Sequence, residues 1–429
     1  MTRTAFTNAR LIDPDTGLDT PGALLVENGK IADLGPRLFN DAKPANAEII
    51  DCGGQALSPG LIDLRVFTGE PGAEHRETLA SAGASAAAGG VTSFVVMPTT
   101  DPVIDDAALV SFIARRAEAT ARVRVYPAGA LTHGLKGTQM AEIGLLQEAG
   151  AIAFTDADRT IASSLIMRRC LAYAANYDAL VIAHAEDPAL AASGCMNEGA
   201  FAARMGLGGI PPAAEAMAVE RDMRLVELTG ARYHLGQVSC GAALDVIARA
   251  KARGLPVTCA VSAYHLTLNE QDIGEYKTFA KVSPALRTED DRKAMVEGVR
   301  SGTIDAIVSS HDPQAPETKR LPFAQAAYGA VGLETLLPAA LTLHHEADMK
   351  LADVLKALTA APAKILKLPQ GRLAKGAPAD LVLFDPSAPR KIDPTTFRSH
   401  SKNSPFQGRL LQCAVLRTMV AGQTVFQAN

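Results

Sequence analysis

Tryptophan is absent from the 429 residues, and all aromatics together make up 5%. That argues against a platform of stacked rings for single-stranded nucleic acid. Neither sign of charge dominates: 42 Lys and Arg stand against 46 Asp and Glu, a net −4, so nothing electrostatic points to nucleic acid or an anionic membrane as partner. No apolar run approaches the roughly 18–20 residues of a bilayer span. The opening Met-Thr-Arg-Thr-Ala-Phe lacks the apolar core of a signal peptide. Six cysteines (Cys52, Cys170, Cys195, Cys240, Cys259, Cys413) lie scattered, with no Cys-x-x-Cys pair. That tells against a disulfide framework and a thiolate zinc site, and a cytoplasmic chain with buried free thiols is expected.

What is present is a long chain of ordinary globular balance, with 48% hydrophobic and 21% charged residues, enough for one large domain and a smaller one. Both ends are β-rich. Ala23–Ala32 reads as two strands joined by an Asn28-Gly29 hairpin turn, and Glu48–Cys52 as a short strand closed by Gly53-Gly54. Asp380–Asp385 and Val415–Gly422 are also strand-like. Residues 1–57 and 370–429 are therefore expected to form one small β-sandwich domain, with the Pro- and Gly-bearing stretch 368–378 leading into it.

The middle, residues 58–369, alternates strands and helices. Strands are expected at Leu61–Phe67, Val91–Met97, Arg122–Ala128, Ala151–Thr155, Leu180–His184, Tyr233–Val238, Val257–Val261 and Ile304–Ser309. Ala-, Leu-, Glu- and Arg-rich helices lie between them, such as Glu77–Ala88, Asp106–Thr120, Ser163–Asn176 and Ala242–Arg253. Eight such alternations predict an α/β fold, a (β/α)8 TIM barrel. An open doubly wound sheet is the weaker alternative, because no Gly-x-Gly-x-x-Gly opens the first helix.

Around the first barrel strand, Pro59-Gly60-Leu61-Ile62-Asp63-Leu64-Arg65-Val66-Phe67-Thr68-Gly69-Glu70-Pro71-Gly72 resembles the Pro-Gly-x-Ile-Asp-x-His-x-His-x-Arg-Glu-Pro-Gly pattern of the dihydroorotases, in the amidohydrolase superfamily. The resemblance implies two zinc-ligand positions, occupied here by Arg65 and Phe67, and a position for a substrate-carboxylate Arg, occupied by Gly69. Further along, Met97-Pro98-Thr99-Thr100-Asp101-Pro102 resembles Met-Pro-Asn-Thr-x-Pro, with Thr99 for a substrate-binding Asn. Phe154-Thr155-Asp156-Ala157 resembles Phe-Ser-Asp-Asp, and His184-Ala185-Glu186-Asp187 matches His-x-Glu-Asp. Tyr233-His234-Leu235-Gly236-Gln237-Val238-Ser239 places Gln237 at a ligand His position, and Ser309-Ser310-His311-Asp312-Pro313-Gln314 places Ser310 at a catalytic Asp and Gln314 at a His. The stretches Gly194–Gly199, Gly208–Pro211, Lys281–Arg287, Gly302–Ile307, Gly332–Thr335 and Ser404–Gly408 carry the resemblance over nearly the whole chain.

Arg has no free lone pair and Phe no donor atom, which leaves Asp156 and His184 as remnant ligands, too few for a catalytic zinc. The expectation at this point is a lost metal, no other cofactor, and a non-catalytic dihydroorotase-like protein of pyrimidine biosynthesis. The resemblance further implies a dimer and an assembly partner, aspartate carbamoyltransferase. Arg65 is expected to fill the metal space and pair with Asp156, with Phe67 filling the remaining volume and Glu70 nearby. The alternative is an active dihydroorotase or related cyclic amide hydrolase with a rebuilt site of His184, His311, Asp312 and Asp156. A third reading is a small-molecule binding protein. His344 and His345 are expected at the surface, and His75 and His133 in loops without metal spacing.

Overall fold

The structure is a computed structural model and describes residues 3–39 and 46–428. Eight parallel strands follow one another in chain order: Leu61–Val66, Val91–Val96, Arg124–Ala130, Ala153–Thr155, Leu180–Ala183, Arg232–Leu235, Val257–Ser262 and Ala306–Val308. The eighth returns to the first through a parallel bridge between Val66 and His311, and the Phe67 N–H donates to the His311 carbonyl at 2.8 Å. Alternation along each strand sorts the side chains. Ile62, Leu64, Val95, Met97, Ile182 and Val308 fill the interior, while Leu61, Phe94, Phe154, Val181, Leu235 and Ile307 pack outward with the helical layer.

The helices start where the sequence supplies caps. Asp106 accepts from the Ala108 N–H to open Ala107–Thr120, and Ser163 from the Ile166 N–H to open Ser164–Asn176. Thr78 and Ser81 form a reciprocal capping box at Leu79–Ala88.

The terminal strands make a separate sheet. Arg3–Asp13, Leu18–Glu27, Lys30–Gly35, Glu48–Asp51 and Ala56–Pro59 join Leu381–Lys391, Leu410–Val420 and Gln423–Gln427. The Asn28-Gly29 hairpin forms as expected: both residues take positive φ, and Glu27 pairs with Lys30. Ala56–Pro59 pairs with Leu381–Phe384 and runs into the first barrel strand, so the sheet and the barrel share one continuous segment of backbone. Among the described residues, no helix is long and apolar enough to cross a membrane.

Candidate active site

Parallel barrels present their functional groups at the C-terminal ends of the strands, and Arg65, His184 and Gln237 stand at or just beyond three of those ends. Arg65 is 2% exposed, and its Nη1 donates to the Ala157 carbonyl at 3.0 Å. Its Cζ lies 5.1 Å from the Phe67 ring centroid. Burial pulls the guanidinium pKa down, and Asp158, Asp312 and Asp63 oppose that shift. His184 is 6% exposed, and burial with the Arg65 charge lowers its pKa to about 4, so the ring is neutral at pH 7. Gln237 is 2% exposed. Below them in the barrel, His234 Nδ1 lies 2.8 Å from Thr258 Oγ1, and burial brings its pKa to about 3.

Asp312 stands at the rim. Its Oδ1 takes Arg76 Nη2 at 2.8 Å and Gln314 Nε2 at 2.8 Å. Burial raises its pKa to about 6, partly offset by Arg76. The exposed Asp158 adds a negative charge felt by Arg65, His184 and Asp312. Ser310 adopts φ 49°, turning the chain at the end of the eighth strand. Thr99 is half-buried in the loop after the second strand.

Several expected members are elsewhere. Asp156 accepts from the N–H groups of Leu131 (3.1 Å) and Thr132 (2.8 Å) and from the Thr132 hydroxyl. Those bonds consume its oxygens in tying the fourth strand to the end of the third, so the expected Arg65–Asp156 pair does not form. His311 is fully buried: its Nδ1 accepts from the Gly332 N–H at 3.2 Å, and its Nε2 lies 3.3 Å from Glu77 Oε2. Burial pushes the Glu77 carboxyl up, but His311, Ser399 and Ser81 outweigh it and hold it below the ordinary range. His311 thus joins the eighth strand to the segment around Ser399. Glu70 is also not in the mouth; it accepts from the Leu79 N–H and pairs with Arg116 at 2.5 Å. His344 and His345 are half-buried, 2.7 Å and 2.9 Å from the carbonyls of Met349 and Pro386.

The sequence reading missed Arg76, Asp158 and Asp63. Asp63 is fully buried and accepts from the N–H groups of Arg65 and Ser309, so it clamps the first strand to the eighth. Gly69 has a local cause: a Cβ there would lie 1.8 Å from the Ala73 carbonyl oxygen. No side chain fits this loop conformation, the family's Arg included.

An eight-stranded barrel joined to a sheet of terminal strands, with polar groups gathered at the strand ends, defines an amidohydrolase-type protein. In the solved structures, L-hydantoinase (dihydropyrimidinase) from Arthrobacter aurescens superposes with a TM-score of 0.89 at 26% identity, over 100% of this chain and 96% of that one. A dihydropyrimidinase from Brevibacillus agri shares the fold at 21% identity and a TM-score of 0.85, over 99% and 95%. A family described as dihydro-orotase-like matches residues 54–242, and one described as amidohydrolase matches residues 306–426. Among curated proteins, the dihydroorotase of Anaplasma phagocytophilum is 44% identical over 99% of this chain and 95% of its own length. That of a Drosophila simulans Wolbachia is 45% identical over 98% and 95%. The chain belongs to the dihydroorotase family.

These relatives correct one expectation. Zinc dependence is a property of the dihydroorotases, and proteins bearing that name match this chain end to end, so a lost metal does not stand as a conclusion. The donor set at the mouth nevertheless does not fit a metal by itself. Among the described residues, no three His, Cys, Asp or Glu side chains gather as a ligand group, and Arg65 has no lone pair to offer.

Proposed function

We propose that this chain is a cyclic amide hydrolase of the dihydroorotase type with a rebuilt mouth. The observation that carries this reading is 44% identity across 99% of the chain to a protein named dihydroorotase. It is favoured over a non-catalytic role because proteins bearing an enzyme's name match the chain end to end. The working set is Asp312, His184 and Arg65; His311 and Asp156 serve the barrel wall.

Ring opening adds water across the ring C–N bond. Asp312, with a pKa of about 6, is ionised at pH 7 and close enough to neutrality to take the water's proton. The Arg65 guanidinium offers fixed positive charge for the oxygen that becomes anionic as the carbonyl carbon turns tetrahedral. Asp312 then returns that proton to the ring nitrogen as it leaves, and His184, neutral at pH 7, offers a ring nitrogen to hydrogen-bond the substrate. The test is turnover of dihydroorotate, and of dihydrouracil and hydantoin as alternatives, by the purified chain with zinc supplied. Loss of turnover in Asp312→Asn, with folding intact, is the expected companion result; full activity in that variant would remove Asp312 from its role.

A further inference from the structure

Gln237 follows the sixth barrel strand, and its backbone is pinned on both sides. The Gly236 N–H donates to the Ala183 carbonyl of the fifth strand at 2.9 Å, and the Val238 N–H to the Ala260 carbonyl of the seventh at 2.8 Å. The side chain is buried, yet among the described residues neither Oε1 nor Nε2 has a hydrogen-bond partner. A buried carboxamide normally satisfies both ends, because each unpaired end costs the desolvation of that atom. Gln314 shows the ordinary case, with its Nε2 bonded to Asp312. Polar groups lie next to its neighbours in the chain. The Arg65 Nε is buried and unpartnered, a Cβ on Gly236 would lie 3.5 Å from Arg65 Nη1, and His184 directly follows Ala183.

We propose that Gln237 is a specificity-determining residue of this mouth and reads the cis-amide edge of a cyclic imide or ureide. The assignment rests on the hydrolase reading above and deepens it. A ring holds its N–H and C=O side by side, one donor next to one acceptor. The carboxamide presents the complement: Oε1 accepts from the ring N–H, and Nε2 donates to the ring carbonyl. The cost of an unpaired carboxamide in the free protein is recovered when a ring occupies it.

The experiment is calorimetric titration of the purified chain with succinimide, dihydrouracil, dihydroorotate and the ring-opened ureido acid. It is run on wild type, Gln237→Met and Gln237→Glu, with the ligand-free Tm of each. The wild type is expected to bind at least one ring. Gln237→Met removes two unpaired polar ends at similar volume, so its ligand-free Tm should hold or rise. Its ring affinity should fall about tenfold or more, as a site built to hydrogen-bond a group discriminates against its loss. Gln237→Glu loses the N–H donor and should weaken ring binding as well. A fall in the Tm of Gln237→Met, ring affinity unchanged in it, or a wild type that binds no ring would overturn the assignment. Ring binding without turnover would leave the assignment standing and remove the hydrolase reading. Turnover with ring affinity indifferent to Gln237→Met would do the reverse.

Discussion

Asp312 and Arg76 together set how the proposed chemistry responds to acid. Burial raises the Asp312 carboxyl to about 6, and the Arg76 charge keeps it from rising further. The ionised form is the base, so kcat/KM should fall as pH drops through about 6. Removing the cation in Arg76→Ala raises the Asp312 pKa, and the acid limb should move to higher pH; a limb that stays in place would exclude Asp312 as its source. Gly69 carries a second prediction. The missing Cβ faces backbone 1.8 Å away, so Gly69→Arg should not restore a carboxylate grip. It should lower stability by about 1–3 kcal/mol, the usual cost of overpacking, read as a drop in Tm. Arg65, His184 and Gln237 were legible from sequence because a strand end fixes where a side chain points. Asp156 was misplaced for the opposite reason. Its partners Leu131 and Thr132 come from a different strand, and no local pattern reveals them.

Elements hold this mouth in shape through a buried polar network. Arg287 Nη1 reaches the Ile210 carbonyl at 2.7 Å and Asn197 Oδ1 at 3.2 Å, and its Nε reaches Ser239 Oγ at 3.1 Å. Glu215 and Glu186 lie 3.7 Å and 3.8 Å from Nη2. Three stretches that carried the family resemblance, 194–199, 208–211 and 281–287, thus converge on one guanidinium. The sequence displayed the motifs but not their common centre, since residues from 197 to 287 meet only in three dimensions. Arg287→Met leaves the buried Glu215 carboxylate and the half-buried Glu186 carboxylate without their cation. It should cost about 3–5 kcal/mol, the usual penalty for breaking a buried pair from one side. Denaturant unfolding measures this, and a loss below 1 kcal/mol would mean that the network is not electrostatically tied. Strand positions were legible to within three residues because inward and outward faces alternate. Asn28-Gly29 was legible because its turn demands positive φ.

At the scale of the molecule, the barrel and the terminal sheet are one continuous construction. Ala56–Pro59 hydrogen-bonds to Leu381–Phe384 and continues into the strand that bears Arg65. His311 and Glu77 reach Ser399, near the chain's other end. The architecture was legible from the alternation of elements. The dihydroorotase family was legible too, in the strand-end and frame motifs, and the full-length similarity to proteins of that name supports it. Whether the mouth is catalytic was not legible, because counting the lost ligands says which donors are gone and not what Asp312, His184 and Arg65 can do together. The most direct measurement is the ring opening of dihydroorotate by the purified chain at pH 7–8 with zinc supplied, followed by loss of the ring and appearance of the ureido acid. Turnover above the uncatalysed rate, abolished in Asp312→Asn, is the predicted result. A folded chain that leaves the ring intact under those conditions would contradict the account.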